Sequence, residues 1–443
     1  MKPFVERRSR LIAAMRKRGG GVAIICTALE ARRNGTSTYP FRWDSNFYYL
    51  SGFPEPEAAL AIVVAGERVE TVLFCREKNE EAEIWNGRRY GTEAAQKEFG
   101  FDRALPITAL DEEIPNLLAN APAIYYALGA DAGLDEKVRL WLSKVGAKVR
   151  SLVGWPTQAF DIAAMLSEMR LVKDRFELAT MRRTGEINAA AHVRAMLATR
   201  PGLHEYEIEA ELLHEYIRCG ARSPAYESIV AGGANACVLH YCQNNAVLRD
   251  GDLLLIDAGC ELGGYASDIT RSFPVNGHFT AGQRELYEIV LAAQHAALAA
   301  IKPGARLMDL HDVATRVIAA GLIEAGLIAG ELDEALSSAS YKRFYMHRTG
   351  HWLGMDVHDV GSYRQAGEES SGEGTPSRIL EPGMVFTIEP GIYVRAAPDV
   401  PERFHDIGIR IEDDVVMTES GYEILSAGVP NTADEIEALM RKR

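Results

Sequence analysis

Two carboxylate residues in the second half of the chain are spaced so that they could act together. Asp257 and Asp268 lie in the run "DLLLIDAGCELGGYASDITRSF". The pattern predicts a buried strand from Leu253 to Ala258 and a second strand from Tyr265 to Phe273. If the hairpin is symmetric about the Leu262–Gly263 bond, Asp257 faces Asp268, with Cβ atoms about 4.5 to 5.5 Å apart.

Two buried carboxylates at this separation repel each other, and a divalent cation removes that penalty. Two metal ions about 3.5 to 4 Å apart form the usual dinuclear arrangement for hydrolysis, because they lower the pKa of water. The alternative is that one or both aspartates lie on the solvent side of the hairpin. The apolar run from Leu253 to Ile256 favours burial and therefore a metal site.

A second carboxylate pair lies on two apolar segments further along the chain, "GMVFTIEPGIYV" and "IGIRIEDDVVM". Strand alternation places Glu389 on the face of Thr387, and Glu412 on the face of Arg410. The guanidinium group of Arg410 can neutralise or orient a carboxylate. A single glutamate in a strand is usually exposed, but two such strands beside an aspartate pair favour a shared site.

Four histidines accompany these carboxylates in the sequence. His240 precedes the aspartate hairpin, and His347, His351 and His358 lie in "MHRTGHWLGMDVHDVG". A single imidazole beside four carboxylates suits Mn, Co or Zn, and the excess of oxygen donors favours Mn²⁺. The remaining histidines are predicted to be structural or exposed to solvent: His192, His204, His214, His278, His295, His311 and His405.

The first part of the chain has the alternating pattern of an α/β domain. Helices are predicted at Lys137 to Lys144 and after Thr92. Composition changes around Trp155, which predicts domains at 1–172 and 173–443. Strands are predicted at Gly21 to Cys26, Ala59 to Val64, Val69 to Cys75 and Ile124 to Ala127.

The second part contains an internal echo. One helix is predicted from Asp174 to the Pro201–Gly202 stop, and another ends at the equivalent Pro303–Gly304. The helix leading into the second stop begins with a predicted capping box formed by Thr280 and Gln283. Each helix pair is followed by strands that carry two carboxylates. This order indicates a duplicated α/β half with the site between the halves.

Bulk properties exclude several classes of protein. The 443 residues exceed one compact core, and the net charge of −14 opposes a nucleic-acid surface. No apolar run reaches the roughly 18 to 20 residues of a membrane span. Six cysteines without CxxC spacing favour a reduced, cytoplasmic protein. The basic stretch from Arg7 to Arg18 is predicted to be a solvated helix face, with a transit peptide as the alternative.

The order Asp, Asp, His, Glu, Glu resembles the pita-bread metallopeptidases, and within them the bacterial aminopeptidase P (Xaa-Pro aminopeptidase) family. The resemblance covers nearly the full length. It is carried by "YPFRWDSNFYYLSGFPEPEA", "AEIWNGRRYG", "EMRLVKD", "IVAGGANACVLHY", "LIDAGCELGGYASDITRSFPVNGHFT", "HWLGMDVHDVG", "RILEPGMVFTIEPGIY" and "IGIRIEDDVV".

The resemblance implies an α/β (α+β) chain, with an N-terminal α/β domain and a C-terminal pita-bread domain of pseudo-twofold halves. It implies a homodimer or homotetramer that removes the first residue from peptides with proline in second position. Two divalent metal ions, Mn²⁺ or else Co²⁺ or Zn²⁺, would be held by Asp257, Asp268, His351, Glu389 and Glu412. Catalytic or substrate-binding roles would fall to His240, His347 and His358, with Glu389 moving a proton and Arg410 and Tyr393 in support.

Three alternatives remain at this point. A prolidase would have the same metal site and act on Xaa-Pro dipeptides. Methionine aminopeptidases usually lack the large first domain, and a binding-only relative would have lost metal ligands.

The motif around Trp85 resembles the aminopeptidase version and predicts that this residue reaches the site in the oligomer, unless it belongs to the core of its own domain. The segment between His358 and Arg378 is longer than expected, and is either an inert insertion or a loop that alters access.

Overall fold

The computed structural model of the protein describes residues 2–365 and 376–442. They divide into two compact units, Met1–Ser167 and Glu168–Arg443. The domain boundary after residue 172 remains a prediction. The long segment predicted between His358 and Arg378 falls largely outside the described residues.

The first unit is built on a six-stranded mixed sheet. Its two central strands, Gly21–Cys26 and Ala59–Ala65, are buried almost throughout, as their apolar sequences predict. These two strands and the neighbouring Arg68–Cys75 pair antiparallel, and the remaining pairs in the sheet are parallel. From edge to edge the order is Arg103–Pro106, Arg68–Cys75, Ala59–Ala65, Gly21–Cys26, Ala123–Tyr126 and Gln158–Asp161. The four predicted strands are confirmed, and the two outermost strands were not predicted.

Six α-helices of the first unit accompany this sheet. The basic stretch at the start of the chain is helical, as predicted, but Arg7 and Arg8 are buried rather than solvated. Their guanidinium groups donate to the carbonyl oxygens of Tyr49 and Leu50. The helices are Lys2–Lys17, Ser45–Ser51, Glu80–Asn86, Gly91–Phe99, Leu110–Leu118 and Ala132–Gly146.

The second unit contains two helix pairs of the kind predicted from the internal echo. Arg175–Ala198 packs against Glu205–Arg218, and Ala281–Ala299 packs against Leu307–Glu324. The predicted capping box is present, because the Thr280 hydroxyl accepts from the Gln283 amide and the Gln283 side chain accepts from the Thr280 amide. The other helices that belong to this unit or enter it are Ile162–Leu171, Leu332–Ser338 and Ala433–Met440.

Short strands lie between and after these helix pairs, in three three-stranded sheets and one two-stranded sheet. Their inward side chains join the helices in one apolar core. Because most strands have six residues or fewer, many side chains near their ends lie at irregular backbone. The sheets are Ser223–Pro224, Cys260–Leu262 and Tyr265–Ala266; Ile229–Gly232, Leu253–Ala258 and Ile269–Pro274; Val385–Ile388, Asp413–Thr418 and Gly421–Ile424; and Gly391–Val394 with Ile407–Arg410.

The register predicted for the aspartate hairpin is wrong. Leu262 pairs with Tyr265, and Asp257 pairs with Thr270 rather than with Asp268. The turn is therefore centred on Gly263 and Gly264, whose φ angles are 59° and 84°. A two-residue type I′ turn requires positive φ at both central residues, which glycine adopts easily and leucine resists.

The strands predicted to carry the two glutamates are shorter than expected. Val385–Ile388 ends one residue before Glu389. The second segment divides into Ile407–Arg410 and Asp413–Thr418, so that Glu412 lies in the break between two strands. Both carboxylates are therefore presented from irregular backbone.

Two general expectations can be compared with this fold. The six cysteines are all free thiols, and Cys75, Cys237 and Cys260 are buried. Among the described residues, no helix combines the length and the apolar character that crossing a bilayer would require.

Candidate metal centre

Nine of the ten residues predicted for the site line one cavity of about 700 Å³ in the second unit, and the tenth, Tyr393, contacts two of them. The hairpin, the histidine-rich segment and the two glutamate-bearing segments each contribute side chains to its wall. The nine residues are Asp257, Asp268, His240, His347, His351, His358, Glu389, Arg410 and Glu412.

Three of these side chains form a compact group of donors. Asp268, His351 and Glu412 each offer a ligand atom within 4.8 Å of the others. The imidazole Nε2 of His351 lies 3.4 Å from Oδ2 of Asp268 and 3.7 Å from Oε1 of Glu389. Carboxylate oxygens and one imidazole nitrogen at such separations match the donor set of a divalent transition metal.

Asp257 completes the carboxylates and is held from two sides. Its Oδ2 accepts a 2.5 Å hydrogen bond from Nη2 of Arg410, and its Oδ1 accepts a 2.6 Å bond from the phenol of Tyr226. The same phenol also contacts Oδ1 of Asp268. Tyr226 therefore bridges the two aspartates, although nothing in its sequence surroundings marked it for this role.

Burial disturbs the acid–base properties of this cluster. It raises the pKa of Glu389 to about 7 and raises the pKa of Glu412 well above its ordinary range. The pKa of Asp268 is raised by burial and by the charge of Asp257. Burial also opposes ionisation of Asp257, but the charge of Arg410 together with the hydrogen bonds from Tyr226 and Arg410 outweighs it and lowers the pKa of Asp257. Burial opposes the charge of His351, but Asp268 and Glu389 outweigh it and raise its pKa to about 9. Such a cluster binds protons when no cation compensates its carboxylates.

Neighbouring polar groups orient the acidic side chains. Oγ1 of Thr270 donates to Oε2 of Glu412, and the carboxylate of Asp414 accepts from the backbone amide of Asp268. Burial together with the charge of Asp268 raises the pKa of Asp414 well above its ordinary range. Where a metal ion is bound, polar groups that contact its ligands in this way fix the ligand geometry.

The three histidines outside the donor group face the same cavity. Nε2 of His347 lies 2.8 Å from the Tyr393 hydroxyl, which also accepts a 2.7 Å bond from Arg410. The ring of His358 packs edge-on against His351, with centroids 4.3 Å apart. His240 lines the cavity wall.

His311, which is predicted to be structural or exposed to solvent, also lines the cavity. It lies near the start of the helix Leu307–Glu324. Its Nδ1 lies 2.8 Å from Oγ1 of Thr349. Leu307 and Leu310 line the cavity from the same turn, and their helical spacing with His311 was the available signal.

Comparisons with known proteins agree with this geometry. Residues 179–419 match metallopeptidase family M24, and residues 4–125 match the aminopeptidase P N-terminal domain. The chain is 45% identical to a Xaa-Pro aminopeptidase of Escherichia coli, covering 99% of this chain and 97% of the relative. It is 44% identical to a Xaa-Pro aminopeptidase of Haemophilus influenzae, covering 99% and 96%.

Solved structures give the same result for the whole fold. The structure of Pseudomonas aeruginosa aminopeptidase PepP is 46% identical and superposes with a TM-score of 0.95, covering 100% of this chain and 98% of that one. A zinc-substituted Escherichia coli aminopeptidase P in complex with product is 44% identical, with a TM-score of 0.95 and coverage of 100% and 98%. With its pita-bread second domain and its aminopeptidase P first domain, this chain belongs to metallopeptidase family M24.

Proposed function

We propose that this protein is a dinuclear metal-dependent Xaa-Pro aminopeptidase, which releases the first residue from peptides with proline in second position. The observation that carries this proposal is the convergence of four carboxylates and one imidazole on a single cavity. Full-length similarity to Xaa-Pro aminopeptidases at 45% identity supports the substrate class.

The proposed ligands of two divalent cations are Asp257, Asp268, His351, Glu389 and Glu412. The chemistry of this donor set fits such ions, because uncompensated carboxylates at this depth are costly. Four oxygen-donor residues to one nitrogen favour Mn²⁺ over Co²⁺ or Zn²⁺. When bound, divalent cations polarise a carbonyl group and lower the pKa of water.

The protein's own side chains would bind the peptide and move protons. Glu389 is the proposed proton acceptor, because its carboxylate lines the cavity beside the donor group, with Oε1 3.7 Å from Nε2 of His351. His240, His347 and His358 line the cavity and can donate hydrogen bonds to the peptide carbonyl groups. Arg410 and Tyr393 orient His347, because the Tyr393 hydroxyl contacts both the Arg410 guanidinium group and the His347 ring. The bond before proline has no N–H, so recognition rests on carbonyl oxygens and on ring shape.

The alternative activity is that of a prolidase acting on Xaa-Pro dipeptides. We also propose a homodimer or homotetramer in the cytoplasm, from the resemblance and from the cysteine pattern. None of these features changes the ligand set. The two activities differ in whether substrate continues past proline, so substrate length is the property to test.

The test compares an Xaa-Pro-Yaa tripeptide with the matching Xaa-Pro dipeptide, using protein treated with chelator and then supplied with Mn²⁺. We expect no hydrolysis after chelation, recovery with Mn²⁺, and faster cleavage of the tripeptide. Full activity in protein shown by elemental analysis to be metal-free would overturn the metal mechanism. Faster cleavage of the dipeptide would make the enzyme a prolidase.

A further inference from the structure

His358 is carried by a segment that has neither helix nor strand to hold it. Residues 354–361 form a series of bends, and the His358 side chain is exposed to the cavity. A side chain that must meet substrate with an error below about 1 Å needs rigid support from its neighbours. Backbone contacts supply part of it, since the amide of Asp359 donates to the carbonyl of Trp352 at 2.8 Å.

Further support comes from a buried group of charges next to His358 in sequence. Nη2 of Arg170 lies 2.6 Å from Oδ1 of Asp359, and Nζ of Lys173 lies 2.9 Å from Oδ2 of the same carboxylate. These three side chains are 2% exposed or less. Arg170 also contacts Asp356 at 2.7 Å, so that the carboxylates on both sides of His358 are bound.

The lack of a side chain at Gly354 leaves room for the contact between Lys173 and Asp359. A Cβ atom at Gly354 would lie 2.0 Å from Oδ2 of Asp359 and 3.0 Å from Cε of Lys173. Lys173 is fixed in turn, because its amide donates to the carbonyl of Gly383 at 2.9 Å. The segment carrying His358 therefore closes directly over the Lys173–Asp359 pair.

We propose that Arg170 and Lys173 are positioning residues that hold His358 at the metal centre through Asp359. This inference rests on the proposed function, in which His358 contacts the peptide. A carboxylate that is paired at both oxygens cannot rotate. Asp359 is the residue that follows His358 in the chain, so fixing its side chain also fixes the backbone of His358. A shift of about 1 Å in a substrate-contacting group lowers turnover by up to about a hundredfold.

The decisive test is a mutant cycle with His358. Lys173→Met alone leaves Asp359 paired with Arg170 only, and Asp359→Asn alone leaves Lys173 buried without a carboxylate. The main variant is therefore Lys173→Met/Asp359→Asn, which removes both charges and keeps the Arg170–Asp356 contact. Arg182→Gln/Glu423→Gln, a half-exposed pair in the same unit, is the matched control. We expect kcat on the tripeptide to fall ten- to a hundredfold for the paired variant, with metal content retained. Lys173→Arg, which keeps the positive charge, should retain most of the wild-type activity.

In the His358→Ala background, the same paired substitution should lower kcat by no more than about twofold, because the two changes act through one group. Losses that multiply would show that the charge group only stabilises the fold, and would overturn the proposal. Unchanged kcat in the paired variant with His358 present would overturn it equally.

A second readout does not depend on activity. The measurement is an NMR spectrum of full-length protein with ¹³C-labelled histidine rings and with Zn²⁺ in place of paramagnetic Mn²⁺. The His358 signal is assigned as the one that is missing from the spectrum of His358→Ala. We expect that signal to move or broaden in Lys173→Met/Asp359→Asn and to stay fixed in the Arg182/Glu423 control. An unmoved signal would refute the positioning role. If wild-type protein cleaves no Xaa-Pro peptide, the proposed function fails while this measurement still decides whether the charge group holds His358.

Discussion

The hydroxyl of Thr270 donates a 2.6 Å hydrogen bond to Oε2 of Glu412, across 142 positions of sequence. The backbones meet at the same place, because the Glu412 amide donates to the Thr270 carbonyl at 3.0 Å. Glu412 lies in the break between two strands, so these contacts fix a carboxylate that no strand holds. Thr270 thus connects the aspartate hairpin to a proposed metal ligand.

Thr270→Val should therefore weaken metal binding. Valine keeps the shape but loses the hydroxyl, and loss of such a supporting bond lowers metal affinity about 10- to 100-fold. Competitive titration with a metal indicator measures the affinity, and turnover at saturating Mn²⁺ should stay close to wild type. Thr184→Val, at a buried threonine bonded within its own helix, is the control. Equal affinities for the two variants would contradict the assignment.

His358→Ala should retain two metal ions and lose turnover. The side chain faces the cavity but lies outside the proposed ligand set, and loss of a transition-state hydrogen-bond donor costs a factor of about 10² or more. Elemental analysis and kcat measured on the same preparation test both parts. His278→Ala, at an exposed histidine, should change neither. Loss of a metal ion from His358→Ala would instead place His358 among the ligands.

Metal-free protein should become less stable as the pH rises. Burial raises the pKa of Glu389 from 4.5 to about 7. The pKa of His351 rises from 6.5 to about 9, although burial opposes it, because of Asp268 and Glu389. Below pH 6.5 this effect is opposed by His192, His311 and His347, because burial lowers the pKa of each to about 4. Between about pH 6.5 and 9 those three are neutral in both states, so the folded state binds more protons than the unfolded state and its free energy of unfolding falls across that window.

Urea unfolding of chelated protein from pH 5.5 to 9 measures this dependence. The stability contributed by His351 is fully present below pH 6.5 and is lost as the pH rises through about 9. Glu389→Gln should remove the part of the decline that ends near pH 7. A stability that rises between pH 6.5 and 9 in the chelated protein would refute the prediction.

Trp85→Ala should change substrate choice without changing stability. Trp85 is 82% exposed on the helix Glu80–Asn86, so the alternative that it belongs to the core of its domain is wrong. We expect kcat/KM for tripeptides to fall roughly tenfold, equivalent to about 1.4 kcal/mol of lost contact, with dipeptide hydrolysis unaffected. The adjacent Ile84→Ala, also 82% exposed, is the control. An equal loss on both substrates, or none, would exclude a role for Trp85 in substrate length.

The error in the hairpin register shows what sequence reasoning could achieve here. The pairing partner of Asp257 moved from Asp268 to Thr270, a shift of two positions. Side chains alternate with a period of two, so such a shift keeps both aspartates on one face. The prediction of a shared site therefore did not depend on the correct turn. A shift of one residue would have turned one carboxylate away.

Contacts between distant segments could not be predicted in the same way. The Tyr226 phenol reaches Asp257 and Asp268 only because the bend between the strands Ser223–Pro224 and Ile229–Gly232 brings it beside the hairpin. The Thr270–Glu412 bond joins a strand of one sheet to the break between strands of two other sheets. Periodicity describes which face a residue occupies, whereas partners of this kind depend on how the sheets pack.

The guanidinium group of Arg410, 2.5 Å from Asp257, also contributes to the net charge of the cavity. Four ionised carboxylates set against this one fixed cation leave three negative charges. A single divalent ion would leave the cavity anionic, and two would give it one surplus positive charge. A site with that surplus attracts one anionic oxygen and gains nothing from a third ion. Arg348 and Glu227, whose charges cancel, also line the cavity, so Arg410 is the charge that favours two divalent ions over one in the proposed site.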